Sequence, residues 1–269
     1  MSDRYCYWSV VDGNYELMMK TVIRSARAVG VFKDFHVWSE NAVEDSTFHP
    51  VKNLNKAHYL FKLEFLYEFV KKLNYDYFVW LDADSFFVRN PGDVLRVLCG
   101  APVHSSLESD ACSPHAVRPD WWGCPLAVYA GLMQTRGVRS NAVFNVNAGF
   151  WIVHHDVIET FCDLCFDFWN FARECGHTFT EEAPLAYATH MLCGNPYEHT
   201  LRATSDLWAS DWTGCYADRL PDGRPWTFVD YFTEERLSVN PAMVHAMRSK
   251  NALLGAEAVR ATPLPEPGR

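Results

Sequence analysis

Residues 77–87 read Tyr-Phe-Val-Trp-Leu-Asp-Ala-Asp-Ser-Phe-Phe, five apolar side chains closed by two acids one residue apart. An unbroken apolar run predicts a strand buried on both faces, as at the centre of a parallel sheet. Asp82 and Asp84 leave the C-terminal end of that strand, the edge at which open α/β sheets bind ligands. In an extended chain residues i and i+2 point the same way, so the two carboxylates can converge on one cation. Their neighbours are apolar on both sides, and buried carboxylates need a cation or hydrogen bonds to compensate them. Hard oxygen ligands suit Mg²⁺ or Mn²⁺, which in turn suit a diphosphate.

The surrounding pattern supplies the rest of an α/β sheet. Residues 5–11 form a short β-prone run closed by the turn-like Asp12-Gly13-Asn14. Residues 15–29 predict a helix, with Leu17, Met18, Val22, Ala26 and Val29 at helical spacing and Gly30 as its stop. Residues 35–38 predict the next strand, giving the start of a right-handed βαβ unit. A second helix is expected over 56–73 on the stripe Tyr59, Leu63, Leu66, Val70 and Leu73. Residues 148–153 predict another central strand, after which Asp156–Glu159 resembles a capping box opening a helix to about Glu174. Between them, 101–145 is rich in Pro, Gly, Ser and Trp and weakly periodic, too long for a plain connector. We expect one domain over 1–254 and a frayed tail over 255–269, which carries three prolines.

Composition excludes several functions. Twenty-four Lys+Arg against 33 Asp+Glu leave a net charge of −9, which argues against a broad nucleic-acid-binding face. No apolar run approaches the roughly 18–20 residues that span a bilayer. The first residues lack the layout of a signal peptide. Nine scattered cysteines fit a reduced, cytoplasmic setting better than a disulfide framework. The acidity still permits a local basic pocket: residues 56–73 carry four Lys/Arg against two acids.

Other clusters compete for attention. His154-His155-Asp156 looks metal-like, but neighbouring strand residues face opposite sides. Cys162 and Cys165 form a CxxC with no second pair, within a helix whose Phe161, Leu164 and Phe168 mark a core stripe. Trp121 and Trp122, in the irregular region, are candidate stacking platforms, and Asp206 and Asp211 beside Trp208 and Trp212 could line a cleft. Lys62 lies on a stripe with Phe65 and Phe69, where a lysine either snorkels to water or turns inward. Glu181 and Glu182 follow Thr180 at a predicted helix start, where the macrodipole favours acids.

The Asp82-Ala83-Asp84 context resembles the DxD signature of GT-A glycosyltransferases, most nearly the glycogenin-like family 8 set. Four further stretches stand in the family's order. Val10-Val11-Asp12-Gly13-Asn14-Tyr15 is similar to the first strand-to-helix loop, which holds the uracil. Phe61-Lys62-Leu63 is similar to the Lys-Leu of the helix before the DxD strand, and Asn147-Ala148-Gly149-Phe150 to the segment near the donor sugar. Pro241–His245 with Lys250 is similar to the closing His and Lys. The family's Asp-Gln pair corresponds to Glu181-Glu182. The residues after His245 lack the family's Gly and Pro-Trp and bring Lys250 one residue closer.

The resemblance implies an α/β GT-A fold, Rossmann-like, with a mixed central sheet flanked by helices. It implies a metal-dependent hexose transfer from a nucleotide-diphosphate sugar, a UDP-sugar, to a carbohydrate or glycan acceptor hydroxyl, with retention at the anomeric carbon. Asp82, Asp84 and His245 would hold Mn²⁺ (or Mg²⁺). Val11, Asp12, Tyr15, Lys62, Ala83, Asn147, Ala148, Gly149 and Lys250 would bind the donor. Glu181 would be a further catalytic candidate; inversion instead would need a carboxylate base, for which Glu182 and Asp211 are the candidates. Two rivals remain: a haloacid-dehalogenase-like phosphatase, whose nucleophile also follows a strand as Asp-x-Asp, and a non-catalytic carbohydrate-binding homologue of the GT-A fold.

Overall fold

The computed structural model describes residues 4–52, 54, 59–92, 98, 100–112, 120–140, 142–194, 201–202, 206–210, 226–229 and 236–246. Asp211, Trp212, Lys250 and the 255–269 tail lie outside the described residues.

A seven-stranded mixed sheet organises the molecule. Its strands are β1 (Tyr5–Val10), β2 (Phe35–Ser39), β3 (Thr47–Pro50), β4 (Tyr77–Leu81), β6 (Val103–Asp110), β9 (Phe144–His154) and β10 (Leu201–Arg202). They lie in the order β10-β6-β9-β4-β1-β2-β3. The strand before the DxD is central, as its apolar run predicts, and all five of its residues are buried. It runs parallel to β1 but antiparallel to β9, so the sheet is mixed where periodicity alone suggested a parallel centre.

Strand alternation sends successive side chains to opposite faces, and each face has its own core. On one, Trp8, Trp80 and Trp151 stand side by side from β1, β4 and β9 in matching register, with ring centroids 4.6 Å (Trp8–Trp80) and 6.0 Å (Trp80–Trp151) apart. Four helices cover them: α2 (Phe61–Glu68), α3 (Leu126–Thr135), α4 (Ile158–Glu174) and α5 (Glu182–Cys193). On the other, Tyr7, Val37, Val79 and Ile152 meet α1 (Asn14–Ala28). Beneath that face lies a small sheet, ordered β11-β14-β5, of β5 (Ser85–Phe87), β11 (Trp208–Ser210) and β14 (Met243–His245), while β12 (Trp226–Val229) and β13 (Arg236–Val239) form a separate antiparallel pair.

Several local expectations change. Helix α1 buries Met18, Met19, Val22, Ile23 and Ala26, while Leu17 points to solvent. Within the described residues, α2 is shorter than the 56–73 pattern and passes into a 3₁₀ turn at Val70–Lys72, with Tyr59 exposed. Asp156 does not cap α4: its own N–H donates to His154 Nδ1 at 3.2 Å within a 3₁₀ turn, and the helix starts at Ile158. The 101–145 region holds β6, the hairpin strands β7 (Asp120–Trp121) and β8 (Cys124–Pro125), α3 and the start of β9. Its weak periodicity has a cause: β6 buries His104, Ser105, Ser106 and Glu108, polar residues that read as loop.

Candidate active site

Strand β4 ends at Leu81, and the chain turns at once: Ser85 N–H donates to the Asp82 carbonyl at 3.1 Å. The two acids therefore converge through a tight turn into β5 rather than along an extended strand. Strand β14 runs antiparallel to β5 and sets His245 opposite Ser85, fixed by Ala246 N–H donating to the Asp84 carbonyl at 2.8 Å. His245 Nε2 then stands 3.0 Å from Asp84 Oδ1 and 3.8 Å from Asp82 Oδ2. One ligand atom from each of Asp82, Asp84 and His245 fits within 4.8 Å of the others, the only such metal-ligating group among the described residues.

Two carboxylates and an imidazole make an oxygen-rich donor set suited to Mg²⁺ or Mn²⁺. The imidazole is oriented from behind, as ligating histidines usually are: Ser210 Oγ lies 3.1 Å from its Nδ1, and Trp208 stacks on the ring at 5.2 Å.

Across the turn runs the Asn147–Gly149 segment of β9. Asp82 N–H donates to the Gly149 carbonyl at 2.9 Å, and Gly149 N–H to Asn147 Oδ1 at 2.9 Å. Glycine at 149 is required by crowding: a Cβ there would lie 2.7 Å from His245 Cε1 and 2.9 Å from its Nδ1.

Lys62 does not snorkel. Its ammonium is buried, 2.7 Å from Glu181 Oε1 and 3.1 Å from Asp82 Oδ1, and lies 4.8 Å above the Trp80 ring. Burial alone would depress the ammonium; Asp82 and Glu181 outweigh it and raise its pKa above that of an ordinary lysine. Glu182, the next residue, has the opposite surroundings. Burial, then the charges of Glu108 and Glu181, push its carboxyl well above the ordinary range, against weaker help from Ala148 N–H and Asn145. Its Oε1 accepts from Ala148 N–H at 3.5 Å and its Oε2 from the Trp122 indole at 3.1 Å.

Val11, Asp12 and Tyr15 follow β1 at the same edge of the sheet. Val11 is buried and its N–H donates to the Trp38 carbonyl at 2.9 Å; Tyr15 N–H closes the turn onto the Asp12 carbonyl at 3.0 Å, and its ring is 41% exposed. Ala83 is buried between the two acids. The structure thus gathers Asp82, Ala83, Asp84, Lys62, Asn147, Ala148, Gly149, Glu181, Glu182 and His245 around one turn.

Topology alone compares the chain with known folds. It superposes on the galactosyltransferase LgtC, solved in complex with donor and acceptor sugar analogs, with a TM-score of 0.56 over 97% of this chain and 98% of that one. The chain has the GT-A fold. Identity to that structure is 14%, so the likeness is one of architecture. No protein-family model and no curated protein sequence matches the chain.

Sequence reasoning missed three residues of this cluster. Trp80 donates its indole N–H to Asp82 Oδ1 at 2.8 Å. Strand alternation puts residue 80 on the face of residue 82, and that signal was legible. Ser210 behind His245, and Glu108, which accepts from Asn147 Nδ2 at 2.7 Å, carry no local signature. The decoys resolve simply. His155 and Asp156 are exposed. Cys162 and Cys165 are buried in the α4 core with their thiols on the Leu63 and Pro184 carbonyls. Among the described residues no helix is long and apolar enough to cross a membrane.

Proposed function

We propose that this protein is a metal-dependent glycosyltransferase that moves a hexose from a UDP-sugar to an acceptor hydroxyl of a carbohydrate or glycan with retention. The observation that carries the reading is the Asp82, Asp84 and His245 cluster facing the Asn147–Gly149 segment at the strand edge of a GT-A fold. A divalent ion held by these three would supply positive charge to the departing diphosphate.

The protein's own groups do the rest. Asp12 and Tyr15, beside Val11, seat the base, Tyr15 through its exposed ring. Trp80 and Lys62 hold Asp82 from two sides, so the ligand is oriented before donor arrives. Asn147, Ala148 and Gly149 shape the sugar pocket. Lys250, outside the described residues, is assigned to the diphosphate from sequence alone.

Retention asks for attack from the leaving-group side and for no base across the sugar. Glu182 suits a hydrogen-bonding role at that site, its Oε1 accepting from Ala148 N–H and its Oε2 from the Trp122 indole. Asp211 stays as the candidate base for inversion. The phosphatase reading needed an acidic pair after a further hydrophobic strand, and Glu181-Glu182 opens a helix instead. Seven described cysteines are free thiols, which supports a reducing, cytoplasmic setting.

The test is donor binding, hydrolysis and transfer across a UDP-hexose panel, with Mn²⁺ or with chelator. Metal-dependent turnover that disappears in Asp82→Ala and Asp84→Ala is the expected result. Turnover indifferent to metal and to both substitutions would refute the proposal.

A further inference from the structure

Trp122 has a place in the molecule that nothing in the donor site explains. It sits at the tip of the β7–β8 hairpin, in which Trp121 pairs with Cys124 and Gly123 N–H donates to Asp120 Oδ1 at 3.1 Å. Trp121 turns inward and is buried, whereas Trp122 is 48% exposed. Its φ is 55°, a left-handed conformation that a bulky side chain adopts only when its surroundings hold it there. One restraint is visible: the indole N–H donates to Glu182 Oε2 at 3.1 Å, while Oε1 of the same carboxyl accepts from Ala148 N–H at 3.5 Å. A single carboxyl group therefore ties an exposed indole to the Asn147–Gly149 segment.

We propose that Trp122 is the stacking platform for the acceptor, and that the acceptor is a pyranose presenting an apolar C–H face. This rests on the glycosyltransferase reading above. A fixed indole offers a large flat contact at little conformational cost, and its polar edge is already satisfied by Glu182, leaving the ring for an apolar partner. The donor sugar belongs against Asn147–Gly149. A sugar on Trp122 lies on the other side of the Glu182 carboxyl, one group away, where an attacking hydroxyl has to be. Glu182 then meets the polar rim of both rings.

The experiment reads the indole N–H resonances of ¹⁵N-labelled protein, with Trp122 assigned by Trp122→Phe, during titration with methyl hexopyranosides in the presence of UDP and Mg²⁺. The expected result is a saturable shift of the Trp122 signal. Trp122→Ala should weaken pyranoside binding at least tenfold while UDP–Mg²⁺ affinity stays within twofold, which also reports an intact fold. Trp122→Phe, keeping a ring but no N–H, should fall between. Pyranoside binding unchanged in Trp122→Ala would overturn the platform, as would wild-type protein that binds UDP–Mg²⁺ but no pyranoside. Failure of wild-type protein to bind UDP–Mg²⁺ would instead overturn the glycosyltransferase reading, and the platform with it.

Discussion

Glu181 and Glu182 are adjacent in the chain and opposite in chemistry. Glu181 faces an ammonium at 2.7 Å; Glu182 faces other acids, an amide N–H and an indole. Both oxygens of Glu182 accept, one from Ala148 N–H and one from the Trp122 indole, whereas an amide has a single acceptor oxygen. Glu182→Gln is therefore expected to keep one of the two bonds and lose part of the transfer rate, and Glu182→Ala to lose more; steady-state kinetics check this, and a Glu182→Gln variant as active as the unsubstituted protein would refute it. Gly149 invites a sharper prediction. The added Cβ of Gly149→Ala would overlap His245, so the imidazole must move. We expect metal affinity, read by titration calorimetry, to fall about tenfold or more, an effect comparable to disturbing a ligand's support. Stability should drop by about 1–3 kcal/mol, the usual range for overpacking.

At the scale of elements, α2 is a short helix whose main task is to deliver Lys62 between β4 and the start of α5. Lys62→Met would leave Asp82 and Glu181 facing each other's charge in a buried setting, and removing one partner of a buried pair costs about 3–5 kcal/mol. Urea denaturation should show a loss near the lower end, since Asp82 keeps 27% side-chain exposure. Adding Glu181→Gln to Lys62→Met should restore part of the loss, because the two effects share one interaction.

The elements also show what a sequence can and cannot disclose. Strand β4, helix α1 and the Asp82/Asp84 pair were legible because burial and period determine them directly. Strand β6 was not, since its polar residues lie inside the molecule, and neither was Ser210, whose partner His245 is set beside it only by the pairing of β11 with β14. The Asp82–Ser85 turn differs from the extension expected of an apolar run for a local reason: Ser85 N–H folds back onto the Asp82 carbonyl.

For the whole molecule, acid sensitivity follows from two buried imidazoles. His190 accepts from Phe144 N–H at 3.1 Å, and burial pushes its pKa down to about 4. His36, against His49, is pushed down to about 4 by burial and by its neighbour, with Asp34 opposing. Both are neutral in the fold and protonate readily once the chain unfolds. Stability is then full above pH 6.5 and declines as pH falls toward 4, where the unfolded chain binds more protons. For His190 the decline amounts to about 3 kcal/mol. Urea midpoints measured between pH 7 and 4.5 should fall, and His190→Gln, whose amide oxygen can still accept from Phe144, should flatten the slope.

Asp84 and His245 are 161 residues apart, yet every described strand of the large sheet has been synthesised by residue 202. A nascent chain leaving the ribosome can assemble that framework some forty residues before it owns His245. The Asp82, Asp84 and His245 cluster is complete only once residue 245 has been made, and a product truncated before it would keep the described strands of the large sheet without that third side chain.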